Sequence, residues 1–280
     1  MKYLLLSALT FATTALAGDY AGETGLQLYS LRDSFKADVP GSLDKVKSFG
    51  IKSVETAGTY GMPAVDFRKL LDERGLKAVS GHFAYDRYEK ELPKVAEEAK
   101  ALGLEYLGIA WIPHVPALFG MDTTEKAAED FNKWGEELSK QGLKFFYHCH
   151  GYEFKAIAEG SDKTYMDVLM EKTDPKFVSF EMDVFWVVMP GADPAKYLAK
   201  YPGRWALMHL KDLQKGVPTG SFTGHTDVKQ NVVIGTGQIP WAPLLKAAAA
   251  SGVKRYFIED ESPTSEAQIP ESVKYLETLK

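Results

Sequence analysis

Short apolar runs rich in β-forming residues alternate with amphipathic stretches of helical period along almost the whole chain, and this alternation restricts the fold more than any other feature. The predicted strands cover residues 25–30, 51–57, 77–83, 106–111, 144–150, 178–185, 205–211 and 255–261. The predicted helices cover residues 42–48, 64–73, 92–102, 124–140, 165–172, 194–200, 241–250 and 270–279. Eight strands that alternate with eight helices over about 250 residues predict an α/β protein built as a single (β/α)8 TIM barrel.

An open, doubly wound sheet is the structural alternative. Its first strand would be followed by a GxGxxG turn, which this chain lacks, and polar residues here end six or more strands instead of clustering at one point. Since no low-complexity linker marks a second domain, residues 18–280 are expected to form one barrel domain. The longest irregular stretch, residues 213–240, is predicted to lie over the catalytic face as a lid or a partner contact.

The first 17 residues have the features of a signal peptide that is removed on export. A short basic start is followed by a mostly apolar stretch over residues 3–14 and by the small-x-small cleavage site Ala15-Leu16-Ala17. A retained transmembrane anchor is the alternative, although the apolar run is short for a membrane span. The mature chain is therefore expected in a periplasm or in the medium, with Cys149 as its one cysteine and no intramolecular disulfide.

The charge balance restricts the class of partner. The chain has 33 Lys and Arg residues against 38 Asp and Glu residues, a formal net charge of −5 with neutral histidines. An acidic protein of this kind does not favour nucleic acid or an anionic membrane surface. We therefore expect a small-molecule partner, no nucleic acid and, once the signal peptide is removed, no membrane. A homo-oligomer is left open.

Ionisable side chains stand at the carboxyl ends of most predicted strands. They are Glu55, His82, His148, His150, Glu181, Asp183, His209, Lys211, Glu259 and Glu261. Because side chains alternate along a strand, residues two apart share a face, and barrel enzymes build their sites at this end of the strands. Burying so many ionisable groups is costly unless they converge on something that needs them, and a divalent metal is the leading candidate.

Several motifs, taken in order along the chain, resemble those of the xylose isomerase-like barrels. This family includes sugar and sugar-phosphate isomerases and epimerases, inosose dehydratases with a related keto-sugar lyase-like branch, and endonuclease IV. The resemblance is carried by Tyr147-His148-x-His150-x-x-Glu153-Phe154, Asp183-x-x-Trp186 followed by Gly191-Ala192-Asp193-Pro194, His209-Leu210-Lys211-Asp212, Gly235-x-Gly237-x-Ile239 and Glu259. It spans nearly the whole mature chain and is more specific for the family than for the reaction.

The resemblance implies one divalent metal ion, held by a residue from each of strands five to eight. Asp183, His209 and Glu259 match three of the four ligand positions. On strand five His148 stands where the epimerases have glutamate, so either His148 is the ligand or Glu153 folds back to supply a carboxylate. We favour His148, because imidazole binds these metals well. Mn²⁺ is the first expectation, with Zn²⁺, Co²⁺ and Mg²⁺ as alternatives.

The family's chemistry implies roles for the remaining residues. It removes a proton next to a carbonyl or hydroxyl-bearing carbon through a metal-bound enediolate. His150 and Glu153 are the expected acid and base, and Lys211 the donor to the developing oxyanion. The expected substrate-binding residues are Glu55, His82 and Trp186.

Several of the ionisable residues could instead have only a structural role. His82 could be a structural histidine, and His114 and His225 are interpreted as loop residues without a role. Glu181 and Glu261 could serve salt bridges, and Lys211 could pair with Asp212.

Three functions follow from the sequence. The first is a metal-dependent sugar isomerase or epimerase. The alternative is a lyase or hydratase acting on 3-keto-sugars or 3-keto-glycosides, and the second alternative is a non-catalytic sugar-binding barrel. An endonuclease is disfavoured, because the acidic chain lacks a basic surface for DNA.

Overall fold

The computed structural model describes residues 24–115 and 118–279. The predicted signal peptide, residues 1–17, lies outside this part of the chain. None of the described helices is both long enough and apolar enough to cross a membrane.

Eight parallel strands close into a barrel, which confirms the predicted fold and excludes the open sheet. Within the described residues the strands are β1 Thr24–Gln27, β2 Ser53–Thr56, β3 Lys77–His82, β4 Tyr106–Ile109, β5 Lys144–His148, β6 Val178–Asp183, β7 Trp205–Leu210, β8 Asp212–Leu213, β9 Asn231–Val232 and β10 Arg255–Ile258. The barrel closes because β1 pairs with β2 on one side and with β10 on the other. The short strands β8 and β9 pair antiparallel outside the barrel.

The helices cover the outside of the barrel in the predicted order. In the described part of the chain the α-helices are α1 Arg32–Ala37, α2 Val39–Ser48, α3 Ala64–Glu73, α4 Tyr85–Leu102, α5 Met121–Ser139, α6 Tyr165–Lys172, α7 Val184–Val188, α8 Pro194–Lys200, α9 Trp241–Ser251 and α10 Ser265–Glu277. Helices α1 and α7 were not predicted. Each barrel strand ends one to three residues before its predicted end. After β6 the cause is local, because the Asp183 carboxylate accepts a hydrogen bond from the Trp186 backbone and starts α7.

The barrel interior changes from apolar to ionisable along its axis. Its lower part is filled by buried side chains: Val79, Tyr106, Phe146, Leu207 and Phe257. Two residues after three of these, His148, His209 and Glu259 point into the same interior one level higher, as the strand period requires. A Cβ atom at Gly108 would lie 2.2 Å from the Phe146 ring, so glycine at this position makes room for the aromatic layer. The apolar layer thus supports the ionisable groups from below.

Asp212 anchors the long segment that follows β7. Its carboxylate accepts hydrogen bonds from the Gly235 backbone at 2.8 Å, the Gly237 backbone at 3.1 Å and the Trp241 indole at 2.9 Å. A Cβ atom at Gly237 would lie 2.2 Å from this carboxylate, which explains the glycine in the Gly235-x-Gly237-x-Ile239 motif. Asp212 therefore faces the segment, and the alternative of a Lys211–Asp212 ion pair is not observed among the described residues.

Candidate functional site

The carboxyl ends of the barrel strands surround a cavity of about 700 Å³. Its lining from or next to these strand ends includes Gln27, His82, Phe83, Trp111, His148, His150, Trp186, Glu259 and Glu261. The segment 213–240 adds Gly224, His225, Thr226, Val228 and Asn231. The segment therefore lies over this face, as predicted.

Four ionisable side chains meet at the floor of the cavity and directly beneath it: His148 and Glu259 line the cavity, and Asp183 and His209 are fully buried behind them. Nε2 of His148 lies 3.1 Å from Nδ1 of His209 and 3.6 Å from Oδ2 of Asp183. Nδ1 of His209 lies 3.8 Å from Oδ2 of Asp183 and 3.2 Å from Oε2 of Glu259. The structure thus brings together all four residues that were predicted as metal ligands, with His148 as the strand-five member. We call this group the ligand quartet.

The ligand quartet fits a divalent metal ion. Ligand atoms about 2.1 Å from a tetrahedral ion are about 3.4 Å from one another. The four separations given above range from 3.1 to 3.8 Å. In addition, Oδ2 of Asp183 is buried and has no hydrogen-bond partner among the described residues. A buried carboxylate oxygen of this kind is costly unless a cation satisfies it.

Lys211 neutralises part of the negative charge around the ligand quartet. Its ammonium group lies 3.1 Å from Oε2 of Glu259 and 3.7 Å from Oδ2 of Asp183, and it donates a hydrogen bond to Glu261. Burial lowers the pKa of Lys211, but the three carboxylates outweigh it and raise the pKa above its usual range. Burial likewise raises the pKa of Glu259, yet Lys211 and His209 bring it down to about 2. Lys211 is not among the described residues that line the cavity, whereas Glu259 and Glu261 are. Its positive charge therefore affects the cavity through these two carboxylates.

Only two of the three predicted substrate-binding residues line the cavity. Trp186 and His82 line the cavity, whereas Glu55 is fully buried and is not among the lining residues that the structure describes. Nε2 of His82 donates to Glu181 at 3.1 Å and lies 3.1 Å from Glu55. Burial lowers the pKa of His82, but these two carboxylates raise it to about 10. Glu55 thus contacts protein side chains instead of the space where a substrate would bind.

His150 stands beside the ligand quartet with its ring held in place. It stacks on Trp186 with ring centroids 4.6 Å apart, and it meets Trp111 edge to face at 5.2 Å. Its Nδ1 atom is buried and has no hydrogen-bond partner in the described part of the chain. Burial, together with the nearby charges of His148 and Lys211, holds the pKa of His150 well below its usual value. A neutral imidazole at this place can accept a proton.

Glu153, the other predicted acid or base, is not brought to the cavity. It follows the turn that Gly151 begins with a φ of 99°, and its carboxylate folds back behind β5. There it accepts hydrogen bonds from the Tyr147 hydroxyl and from the His150 backbone at 2.9 Å. Burial raises the pKa of Glu153 to about 7, although these hydrogen bonds lower it. The carboxylate therefore braces the loop that carries His150.

Trp111 and His225 are two of the cavity residues that were not assigned to the site from the sequence. Trp111 ends the fourth predicted strand and lines the cavity. His225, from the segment 213–240, also lines the cavity, and its ring centroid lies 5.4 Å from that of Trp111. His225 was interpreted as a loop residue without a role, so its position in the cavity corrects that interpretation. His114 stacks on Trp111 at 4.9 Å. A tryptophan at a strand end was the signal that could have indicated this wall.

Comparisons with known proteins agree with the fold. The family model for the xylose isomerase-like TIM barrel matches residues 43–279. Inosose dehydratases from Geobacillus thermodenitrificans (strain NG80-2) and Clostridium tetani (strain Massachusetts / E88) are 26% and 28% identical over 235 and 234 residues, in each case 75% of this chain and 77% of the relative. One from Bacillus cereus (strain AH820) is 27% identical over 188 residues, which is 60% of this chain and 61% of that protein.

Solved structures of other proteins also share this fold. A sugar phosphate isomerase/epimerase from Parabacteroides distasonis ATCC 8503 shares 28% identity with a TM-score of 0.73, over 91% of this chain and 97% of the other. The IOLI protein, solved with a binding zinc atom, shares the fold at 12% identity with a TM-score of 0.69, over 92% of this chain and 96% of the other. The resemblance predicted from the motifs is thereby confirmed, and the chain belongs to the xylose isomerase-like TIM barrel family.

Proposed function

We propose that this protein is a metal-dependent enzyme that isomerises or epimerises a sugar by removing a proton from a carbon next to a carbonyl group. The observation that carries the proposal is the ligand quartet at the floor of the cavity, with the free Nδ1 atom of His150 close by. The relatives and the solved structure with more than 25% identity are named as enzymes, which supports catalysis over simple binding.

The ligand quartet would hold one divalent ion, with Mn²⁺ as first choice and Zn²⁺, Co²⁺ or Mg²⁺ as alternatives. Two imidazole nitrogens and two carboxylate oxygens form a mixed donor set, which suits these ions better than Ca²⁺. The zinc atom of the IOLI protein is consistent with a divalent metal in this fold. When bound, such an ion supplies a Lewis acid next to the carbonyl and hydroxyl oxygens of the substrate.

Side chains near the ligand quartet would provide the base, an apolar wall for the sugar ring and the support of the carboxylates. His150 is assigned as the base, because its Nδ1 atom lacks a partner and its ring is held by Trp186. The indole face of Trp186 also gives the sugar ring an apolar wall. Lys211 holds the carboxylates of Glu259 and Glu261 at the cavity edge. Glu153 is not assigned to proton transfer, because it does not line the cavity.

The substrate is proposed to be an unphosphorylated sugar. Among the described residues that line the cavity none is a lysine or an arginine, the side chains that bind phosphate in most sites. Export of the mature chain, proposed from residues 1–17, agrees with a neutral sugar or glycoside, because phosphorylated sugars are mainly cytoplasmic.

A dehydratase is the second candidate, and the names of the curated relatives favour it. In this case the enzyme would be a lyase or hydratase for 3-keto-sugars or 3-keto-glycosides. Both candidates begin with the same proton removal. They differ in whether the product keeps every atom of the substrate or loses water or an aglycone.

Solvent deuterium exchange tests the proposal. Chelator-treated protein would be incubated in D2O with a panel of ketoses and 3-keto-glycosides, with and without Mn²⁺, and followed by NMR and mass spectrometry. We expect exchange into at least one substrate that requires the metal and falls at least about 100-fold in His150→Asn. The control is Asp167→Asn, which changes a buried carboxylate bonded to Lys200 outside the barrel. Saturable binding without exchange would favour the sugar-binding barrel, and a product lighter by one water would favour the dehydratase.

A further inference from the structure

A second buried cluster adjoins the ligand quartet and shares one residue with it. Glu55 on β2, His82 on β3 and Glu181 on β6 surround Nε2 of His209. The side chains of Glu55, Glu181 and His209 are fully buried, and that of His82 is 15% exposed. Neither carboxylate lines the cavity. Their partners are therefore protein side chains, and we call this group the second cluster.

His209 faces the two groups with different nitrogen atoms. Its Nδ1 atom faces the ligand quartet, while its Nε2 atom is hydrogen-bonded to Oε1 of Glu55 at 2.8 Å. Once Nδ1 binds an ion, the imidazole has one proton left, which sits on Nε2. A carboxylate is the matching acceptor, because it only accepts hydrogen bonds. The geometry is thus that of a metal-ligating histidine backed by a carboxylate.

Neighbouring strands hold Glu55 in this orientation. In the strand register Glu55 lies beside Gln27 on β1 and Ser80 on β3. The Gln27 amide donates to Oε1 of Glu55 at 2.6 Å, and the Ser80 hydroxyl donates to Oε2. Both oxygens of the Glu55 carboxylate are therefore held by hydrogen bonds from side chains other than His209. Glu181 supports the same ring, with Oε1 at 3.2 Å from Nε2 of His209.

A second metal ion in the second cluster is the competing interpretation, because its four potential donor atoms lie within 4.8 Å of one another. An ion on Nε2 together with one on Nδ1 would require His209 to lose its last proton. It would also replace the hydrogen bonds from His209 to Glu55 at 2.8 Å and from His82 to Glu181 at 3.1 Å. These hydrogen bonds satisfy Oε1 of Glu55 and Oε2 of Glu181 without an ion. Oε1 of Glu181 has no hydrogen-bond partner among the described residues, but it lies 3.2 Å from Nε2 of His209, which is protonated in this arrangement.

We propose that Glu55 is a positioning residue that fixes the ring of His209 and presents its Nδ1 atom to a single metal ion, with Gln27 and Ser80 holding Glu55 in place. This inference rests on the metal site proposed above. A carboxylate behind a ligating histidine restrains the ring and raises its basicity. Loss of such a partner weakens metal binding about 10–100-fold.

Cobalt titration of chelator-treated protein tests the role of Glu55. We expect wild type to bind one Co²⁺ per chain, the Kd to rise about 10-fold in Glu55→Gln, which keeps an acceptor, and up to about 100-fold in Glu55→Ala. The control is Asp167→Asn, which alters a buried carboxylate bonded to Lys200 outside the barrel and should leave the Kd unchanged. Equal affinity of wild type and both Glu55 variants, or two ions per wild-type chain, would overturn the inference. Failure of the metal site itself would look different, because wild type would then bind no Co²⁺.

NMR of zinc-loaded protein labelled with ¹⁵N-histidine separates positioning from general stabilisation. In wild type the proton on Nε2 of His209 should be visible and exchange slowly, and in Glu55→Ala it should exchange rapidly. If that variant does not fold, Ser80→Ala removes only one hydrogen bond to Glu55, and it should raise the Co²⁺ Kd about threefold. A proton that exchanges equally slowly in wild type and in the foldable Glu55 variants would show that Glu55 has only a structural role.

Discussion

Nε2 of His148 and Nδ1 of His209 lie 3.1 Å apart, although the two residues are 61 positions apart in the chain. They come from β5 and β7, and β6 between them contributes Asp183 to the same point. Two imidazole nitrogens this close, with carboxylates on either side, form a preassembled set of metal donors. The barrel itself creates the site, because β6 and β7 pair Asp183 with His209, while His148 ends the neighbouring strand β5 and Glu259 directly follows β10.

Replacing the strand-five histidine should weaken metal binding more than replacing the nearby glutamate. His148→Ala removes one of the four donors of the ligand quartet, so we expect at least a 10-fold loss of Mn²⁺ affinity. Glu153→Gln should leave the affinity within about twofold of wild type, because Glu153 faces Tyr147 and not the quartet. Calorimetric titration of both variants measures the two effects. The opposite order would show that Glu153 is the ligand.

Glu153 should also make stability depend on pH. Its folded-state pKa of about 7 lies above the value of about 4.3 in an unfolded chain, so the folded state binds more protons between these values. The free energy of unfolding should therefore fall as pH rises from about 4.5 to 7 and be level with respect to this group above that window. Relative to Glu153→Gln, wild type should lose about 2–3 kcal/mol between pH 4.5 and pH 8. Urea unfolding of both proteins at several pH values measures the difference, and parallel curves would contradict the assignment.

Loss of the Lys211 ammonium should destabilise the metal-free protein. Lys211→Met leaves Glu259, Glu261 and Asp183 without their buried counter-charge, at an expected cost of about 3–5 kcal/mol. Added Mn²⁺ should restore part of the loss, because the ion brings positive charge to the same carboxylates. The control is Lys90→Met, since Lys90 forms an exposed ion pair with Asp86 and its loss should cost far less stability than the loss of Lys211. Equal losses in the two variants would contradict the charge balance described here.

The fold could be predicted because it depends on short-range patterns, and the ligand quartet because its motifs also resemble those of the family. Alternation of strands and helices specifies the barrel, and the period of two along a strand specifies which side chains point inward. His148, Asp183, His209 and Glu259 all lie at, or one or two residues from, the ends of observed strands. Strand order and side-chain parity placed these residues at the carboxyl ends of the strands, and the family resemblance selected them as the expected ligands.

The remaining parts of the site depend on geometry that strand parity does not describe. Glu153 lies beyond β5, after a glycine with positive φ, where alternation no longer applies. Glu55 is fully buried and is not among the described residues that line the cavity, and it lies at a register irregularity between β2 and β3. His225 reaches Trp111 only because the segment 213–240 folds back over the barrel. Such long-range contacts are not visible in a single sequence.

The metal content of the purified protein shows whether the ligand quartet binds a metal ion. Wild type, the double variant Asp183→Ala/His209→Ala and the control Asp167→Asn would be equilibrated with Mn²⁺, freed of excess metal by gel filtration and analysed by mass spectrometry. We expect about one ion per chain for wild type and the control, and none for the double variant. A double variant that keeps the metal content of wild type would contradict the assignment of the ligand quartet.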